Sequence, residues 1–323
     1  MANISKINAL ALANIAKVDA ITKANIAKVN GLDLPSGAFT GLLDTYTGAA
    51  AAYSTRRLAS ATTVLLRVRR DTGGGTGDDD EANFKFDTLT DDLTLSSPID
   101  DAGSSSATNL GQFLNATGYT DADSLGSPAD GFVDTWTDQS GNSRDAEQTA
   151  PGSQPQIFDS SSPTDLIKEN GKAAIQAGNY DYMQNSFTSI AQPLTISAVY
   201  KTGTVGYSTI FRGSTSSAIG VLTHGSSNSR LDFGTSLNIT NNNNAQMHTI
   251  ALANGSSSLV RIDGSQDVSG NAGTNAFDPA FIMGQTTGNT YIPKMQELIF
   301  WGANQSNDFT GIETSVNTHF GIY

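Results

Sequence analysis

The run Trp136-Thr137-Asp138-Gln139-Ser140-Gly141-Asn142-Ser143-Arg144 crowds an indole, a carboxylate, two amides and a guanidinium into one short stretch. Those groups suit a sugar: Trp136 would stack on the ring while Asp138, Asn142 and Arg144 hydrogen-bond its hydroxyls. The same residues also describe a buried Trp beside an Asx-type turn held by its own backbone bonds, and that structural reading carries more weight. Cleaving a glycosidic bond asks for two carboxyl groups about 5 to 10 Å apart across the scissile bond. Acidic residues are plentiful, and the formal candidate is Glu297 ahead of Leu298-Ile299-Phe300, although pairing or capping at a sheet edge is the expected role of an acid there. No catalytic residue is assigned.

The remaining chemistry is sparse. Asp78-Asp79-Asp80-Glu81 offers oxygen ligands for calcium but lacks the ordered spacing of a calcium loop, so a solvated acidic loop is expected. His224, His248 and His319 are scattered, with neither metal-ligand spacing nor a Ser-His-Asp phrase. Gly73-Gly74-Gly75-Thr76-Gly77 is not followed by Lys-Ser or Lys-Thr and is no phosphate loop. Neither a metal nor a cofactor is expected. With no cysteine at all, disulfides, thiolate metal sites and a Cys nucleophile are excluded.

The elements that must position these groups are bounded by composition. A chain of 323 residues has room for two compact units and an extension. Its charged fraction of 15% is low, and Gly, Ser, Thr and Asn are abundant, which suits a β-rich particle or fibre protein better than a cytosolic metabolic enzyme. No charged segment followed by an apolar run opens the chain, and no stretch approaches the roughly 18 apolar residues of a membrane span. Neither cleaved export nor a membrane partner is expected. Nine basic against three acidic residues up to residue 70 give +6, so with −13 overall the remainder carries −19. Such an acidic body repels nucleic acid and anionic lipid, while the basic end could draw an acidic protein; the alternative is solvated lysines with internally paired arginines.

Residues 2–34 repeat one phrase three times at a period of eleven: Ala2-Asn3-Ile4-Ser5-Lys6-Ile7-Asn8-Ala9-Leu10, then Ala13 to Ile21, then Ala24 to Leu32. The apolar anchors are Ile4, Ile7 and Leu10, Ile15, Val18 and Ile21, and Ile26, Val29 and Leu32. So short a repeat cannot bury its own apolar positions and must stack on copies, on other chains or on the body that follows. Eleven residues match about 3.67 per turn, the period of a right-handed helical supercoil. Turns at Asn8-Ala9, Asp19-Ala20 and Asn30-Gly31 would instead make each repeat a strand pair in a β stalk. Both remain open.

In the body, Ala49 to Leu58 can form a short helix, Val64 to Arg70 reads as a half-buried strand, and Leu110, Phe113 and Leu114 have helical spacing. Strands are expected at 131–136, 173–176, 194–200, 208–211, 218–222, 248–252, 259–262, 280–283 and 295–300, with a late helix at 312–319. Many short strands between Gly and Asn turns predict a two-sheet sandwich.

Several phrases also carry a resemblance. Tyr53-Ser54-Thr55-Arg56-Arg57-Leu58, Arg67-Val68-Arg69-Arg70, Trp136 through Gln148 with Asp138-Gln139-Ser140-Gly141-Asn142 at its heart, and Gln154-Pro155-Gln156-Ile157 occur in this order. Together they resemble the catalytic domain of family 54 arabinofuranosidases and related modules in bacteriophage structural proteins. Glu169 to Ala173, Leu259 to Gly264, Glu297 to Trp301 and Ile312 to Tyr323 look like a concanavalin A-like, laminin-G-like jelly roll, and the opening repeat is similar to phrases of phage tail and virion proteins. The family's nucleophilic Glu has a strand phrase of its own that finds no match here, so its catalysis is not carried over and the chain is expected not to be an enzyme.

The resemblance thus implies a mainly β chain with a repeat arm at 1–34, a connecting region at 35–130 that is part of the sandwich, and a jelly roll at 131–323. It implies a virion component, a tail fibre or capsid decoration. Such a component would attach to other virion proteins through residues 1–34, form a homo-oligomer such as the trimer habitual in fibres, and display a lectin-like sandwich to host-surface polysaccharide. The alternatives are a glycan hydrolase or depolymerase on the same scaffold and a ligand-free spacer.

Overall fold

The computed structural model describes residues 39–72, 80–178, 180–185, 188–202, 207–213, 221–225, 229–240, 245–284 and 294–323, and six two-residue strands before residue 34. Those strands pair two by two, with Ile7 opposite Leu10, Val18 opposite Ile21 and Val29 opposite Leu32. Each phrase therefore contributes an antiparallel strand pair, not a turn of helix. Ile4, Ile15 and Ile26 lie outside the described residues, as do the arm's side-chain contacts.

The rest is a mainly β sandwich of two antiparallel sheets. In spatial order the first runs Ser265–Gly270, Ser258–Ile262, Gln246–Ala253, Leu194–Lys201, Lys294–Trp301 and Ala49–Ser54. The second runs Ile99–Asp101, Glu81–Lys85, Val64–Asp71, Asp130–Trp136, Ala146–Glu147, Met183–Gln184 and Pro279–Ile282. It continues through Tyr207–Gly213, Val221–Gly225, Arg230–Asp232 and Ser236–Asn238. Gln156–Phe158 and Ile175–Gln176 stitch the two sheets together.

The four strands Gln246–Ala253, Leu194–Lys201, Lys294–Trp301 and Ala49–Ser54 of the first sheet are buried on both faces. Its inner side puts Tyr53, Ile196, Tyr200, Leu298 and Phe300 against Trp136 and Phe211 of the second sheet. Its outer side, with Val199, Ile250, Leu252, Ile299 and Trp301, is covered by the Phe309–Phe320 helix through Phe309, Ile312, Val316 and Phe320. That double cover is why these four strands carry apolar residues at adjacent and not only at alternate positions. The second sheet keeps one face open, so its strands alternate: Ala82 and Phe84 point inward, while Glu81, Asn83 and Lys85 are only half-buried.

Helices stand at Leu110–Phe113 and Phe309–Phe320, as the spacing predicts. The helix expected over Ala49 to Leu58 is instead the strand Ala49–Ser54. Alanine favours helix in isolation, but here Ala51 packs into the inner core and Ala52 under the outer helix, where nothing larger than a methyl is presented.

Polar residues are buried beneath that helix. Arg56 forms a two-pronged ion pair with Glu297, at 2.7 and 3.0 Å, and Glu297 also accepts from Ser54 Oγ at 3.0 Å. Glu297 sits between two strands in mid-sheet, not at the expected edge. Burial alone would raise its pKa, but the Arg56 guanidinium wins and holds it low. His248 Nε2 and Ser197 Oγ are hydrogen-bonded at 2.8 Å, and burial, with Arg56 adding to it against Glu297, pushes the imidazole down to about 4.

A depressed histidine stabilises the fold fully above its unfolded pKa near 6.5 and loses that contribution as pH falls toward 4. Urea unfolding should therefore show the stability gap between wild type and His248→Gln narrowing from pH 7.5 to pH 5. Asp181 and Asp263, whose pKa values burial raises, act with the opposite sign, so the difference between the two proteins is the quantity to read. A gap that stays constant would show that His248 takes its proton as readily folded as unfolded.

Candidate functional site

With one sheet covered, the open face of the other is where rows of side chains meet solvent. Strand register lays one such row across it: Thr135 opposite Glu147, Glu147 opposite Gln184, Gln184 opposite Phe281, and Phe281 opposite Arg212. A groove of about 550 Å³ lies along this row, lined by Ser143, Arg144, Asp145, Glu147 and Thr149 from one stretch and by Gln184, Asn185 and Phe281 from two others. Phe281 is braced edge-on by Tyr182, with ring centroids 5.5 Å apart.

The lip at residues 143–147 is held by the run that sequence analysis singled out. The Asp138 carboxylate accepts the backbone N–H groups of Ala52 (2.9 Å), Ser140 (2.9 Å) and Arg144 (3.0 Å), and the Ser140 hydroxyl (2.8 Å). Gln139 accepts from Leu58 N–H and donates to the carbonyls of Ser54 and Arg56. Asn142 donates to the carbonyls of Ala49 and Ala50. The run is thus a clamp between the lip and the Ala49–Ser54 strand. Asp138→Ala should cost about 2–4 kcal/mol in urea unfolding, because it strands several buried N–H donors at once; a loss under about 0.5 kcal/mol would mean that water replaces the carboxylate.

Two carboxylates face the groove. Asp145 Oδ1 accepts the backbone N–H of Asp138 at 2.7 Å, which fixes its aim. Glu147 is exposed, and among the described residues its carboxylate makes no hydrogen bond or ion pair. Behind them the Tyr53 hydroxyl donates to the Arg144 carbonyl at 2.5 Å and accepts from Asn185 Nδ2 at 2.6 Å. Burial raises the Tyr53 pKa far above its ordinary value, so this hydroxyl keeps its proton.

Of the expected sugar-binding residues only Arg144 lines the groove. Trp136 is 0% exposed and packs on Tyr53 at 5.8 Å, so its indole has no face for a sugar to stack on; Asp138 and Asn142 are engaged with backbone. Glu297 is 0% exposed and far from solvent. Asp80 and Glu81 are ion-paired with Arg70 and Arg67, while Asp78 and Asp79 lie outside the described residues. Among the described residues no group of His, Asp and Glu could hold a metal ion. His319 donates to Asp92 at 2.9 Å, and the side chain of His224 lies outside the description. Sequence reasoning missed Asp145, Glu147, Gln184, Asn185 and Phe281; the one signal for the first two was an acid at alternate positions, Asp145 and Glu147, after the Asx turn.

No protein-family model matches the chain, and no curated protein matches it by sequence. Solved structures do match by fold. A crystal structure of an arabinofuranosidase complexed with arabinofuranosyl-α-1,2-xylobiose is 12% identical, with a TM-score of 0.56 over 87% of this chain and 65% of that one. A GH54 α-L-arabinofuranosidase soaked with a cyclic sulfate inhibitor is 13% identical, with a TM-score of 0.54 over the same shares, 87% and 65%. The fold is therefore one shared with carbohydrate-active β sandwiches, and the chain spans about 65% of those enzymes' length. These matches overturn the expectation of a protein that is not an enzyme. A missing linear phrase says nothing about carboxylates that the fold itself brings to a groove, as it does Asp145 and Glu147. Nothing in the matches points to a bacteriophage, and the virion, tail-fibre and decoration readings gain no support from them.

Proposed function

We propose that the groove binds a neutral glycan and hydrolyses a glycosidic bond, with Asp145 and Glu147 as the carboxyl pair. The observation that carries this is the pair itself, two acids lining one polar groove on the open sheet. Asp145 immediately precedes the short strand Ala146–Glu147, and residues two apart in extended backbone have Cα atoms about 6.6 Å apart, a spacing compatible with the carboxyl separations glycosidases use. Glu147, unanchored and longer, is the acid: it gives its proton to the glycosidic oxygen as the bond to the anomeric carbon breaks. Asp145, held by the Asp138 N–H, is the fixed partner. It either takes a proton from the water whose oxygen joins that carbon, or bonds to the carbon first and is then displaced by water. Phe281 offers a flat apolar surface for the ring. The fold shared with arabinofuranosidases supports the reading without fixing the sugar.

A panel of 4-nitrophenyl glycosides, α-L-arabinofuranoside among them, together with arabinan and bacterial capsular polysaccharide, tests it. Release from at least one substrate is expected, with the anomer of the first product distinguishing the two routes. A panel without product would dispose of hydrolysis.

A further inference from the structure

One hydroxyl ties the two walls of the groove together. Tyr53 belongs to the Ala49–Ser54 strand of the first sheet, and its ring, wholly buried on Trp136, crosses the core toward the second. At the tip, its hydroxyl gives its single proton to the Arg144 carbonyl at 2.5 Å, an atom that can only accept. The same oxygen accepts from Asn185 Nδ2 at 2.6 Å. Arg144 stands on the lip that leads into Asp145 and Glu147, whereas Asn185 follows Gln184 at the end of the neighbouring strand, so both partners line the groove. Three contacts hold the Arg144–Asp145 pair: the Arg144 N–H on the Asp138 carboxylate at 3.0 Å, Asp145 Oδ1 on the Asp138 N–H at 2.7 Å, and the Arg144 carbonyl on Tyr53. The first two close a turn on Asp138. Of the three, only the last is shared with the opposite wall, through Asn185. Burial keeps the Tyr53 hydroxyl protonated, so this bridge does not come and go with pH.

We infer that Tyr53 is a positioning residue for hydrolysis: its hydroxyl fixes the Asp145 carboxylate at its distance from the wall that carries Gln184 and Asn185, and so from the bound sugar. The inference rests on the hydrolytic reading above and adds what that reading leaves open, namely what holds one of its two acids in place across the groove. A reacting group displaced by about 1 Å loses on the order of a hundredfold in rate. Tyr53 itself lies behind the lip at 0% exposure and does not touch the sugar, so its loss acts on the chemical step and not on binding.

Tyr53→Phe in the full chain tests it, because the change keeps the ring on Trp136 and removes the bridging oxygen alone. On the 4-nitrophenyl glycoside that wild type cleaves, kcat per folded molecule should fall about ten- to a hundredfold while KM stays within about twofold. Placed in Asp145→Asn, the same change should cost less than about twofold more, since the group it aims has already gone. Should Tyr53→Phe fail to fold, Asn185→Ala breaks the bridge from the other wall and takes its place in the same cycle, with the same losses in kcat expected. Equal losses in the two backgrounds, an unchanged kcat, or a loss confined to KM overturns the inference and leaves hydrolysis standing. A wild type that releases nothing from any glycoside of the panel overturns both.

Discussion

Asp145→Asn and Glu147→Gln should each lower hydrolysis of the responsive glycoside by about a hundredfold or more, with unfolding midpoints that stay at the wild-type value. Both substitutions keep the shape of the side chain and remove only the acid. Asparagine at 145 can still accept the Asp138 N–H through its own oxygen, and Glu147 is exposed with no carboxylate partner among the described residues, so neither change disturbs packing. The two losses should differ in character. If Asp145 bonds to the anomeric carbon, azide added to Asp145→Ala should restore turnover as a glycosyl azide of inverted configuration. For Glu147→Ala the defect should shrink as the leaving group becomes more acidic, because a good leaving group needs no proton. If both variants hydrolysed at the wild-type rate, the pair would be ordinary surface charge and the catalytic acids would have to be sought elsewhere.

The second large effect concerns stability. Glu297→Ala should cost about 3–5 kcal/mol in urea unfolding, because it leaves the Arg56 guanidinium buried beneath the Phe309–Phe320 helix without its carboxylate. Arg56 is 8% exposed and lies over the Phe320 ring at 5.3 Å, so it cannot swing to water without undoing that contact. The double variant Arg56→Met, Glu297→Leu should recover most of the loss, since the desolvation penalty disappears together with the pair. A double variant as unstable as the two single changes added together would mean the pair is not the coupled unit its geometry describes. The same variants separate fold from chemistry: Glu297→Gln should retain hydrolysis per folded molecule, as a residue sealed from solvent must.

How much of this was legible beforehand follows from what each element owes to its own residues. Leu194–Lys201, Gln246–Ala253 and Lys294–Trp301 were visible because a strand buried on both faces is rich in apolar residues along its whole length, and Phe309–Phe320 because its anchors recur at helical spacing. Ala49–Ser54 was not, since four alanines speak for helix until a partner strand overrules them. Met183–Gln184 and Ala146–Glu147 are too short to show any period. The groove was the least legible part. Glu147, Gln184 and Phe281 come from three distant segments, and only the pairing register places them side by side. The Asp138 run stood out in the sequence because it is a dense hydrogen-bonding device, and its work proved to be holding the lip and not touching the ligand. Glu297 was expected to pair, and does, but in the centre of a sheet.

The Ala49–Ser54 strand has its ladder neighbour in Lys294–Trp301, and Ser54 and Glu297 are 243 residues apart. At a synthesis rate of about 5–20 residues per second, the early segment waits on the order of ten to fifty seconds beside the ribosome before its mate emerges. A waiting strand rich in valine or isoleucine would invite pairing with a neighbouring nascent chain. Alanine does not: its weak taste for extended structure keeps the segment unadhesive until the late strand arrives, so the composition that disguises this strand also guards it during the delay.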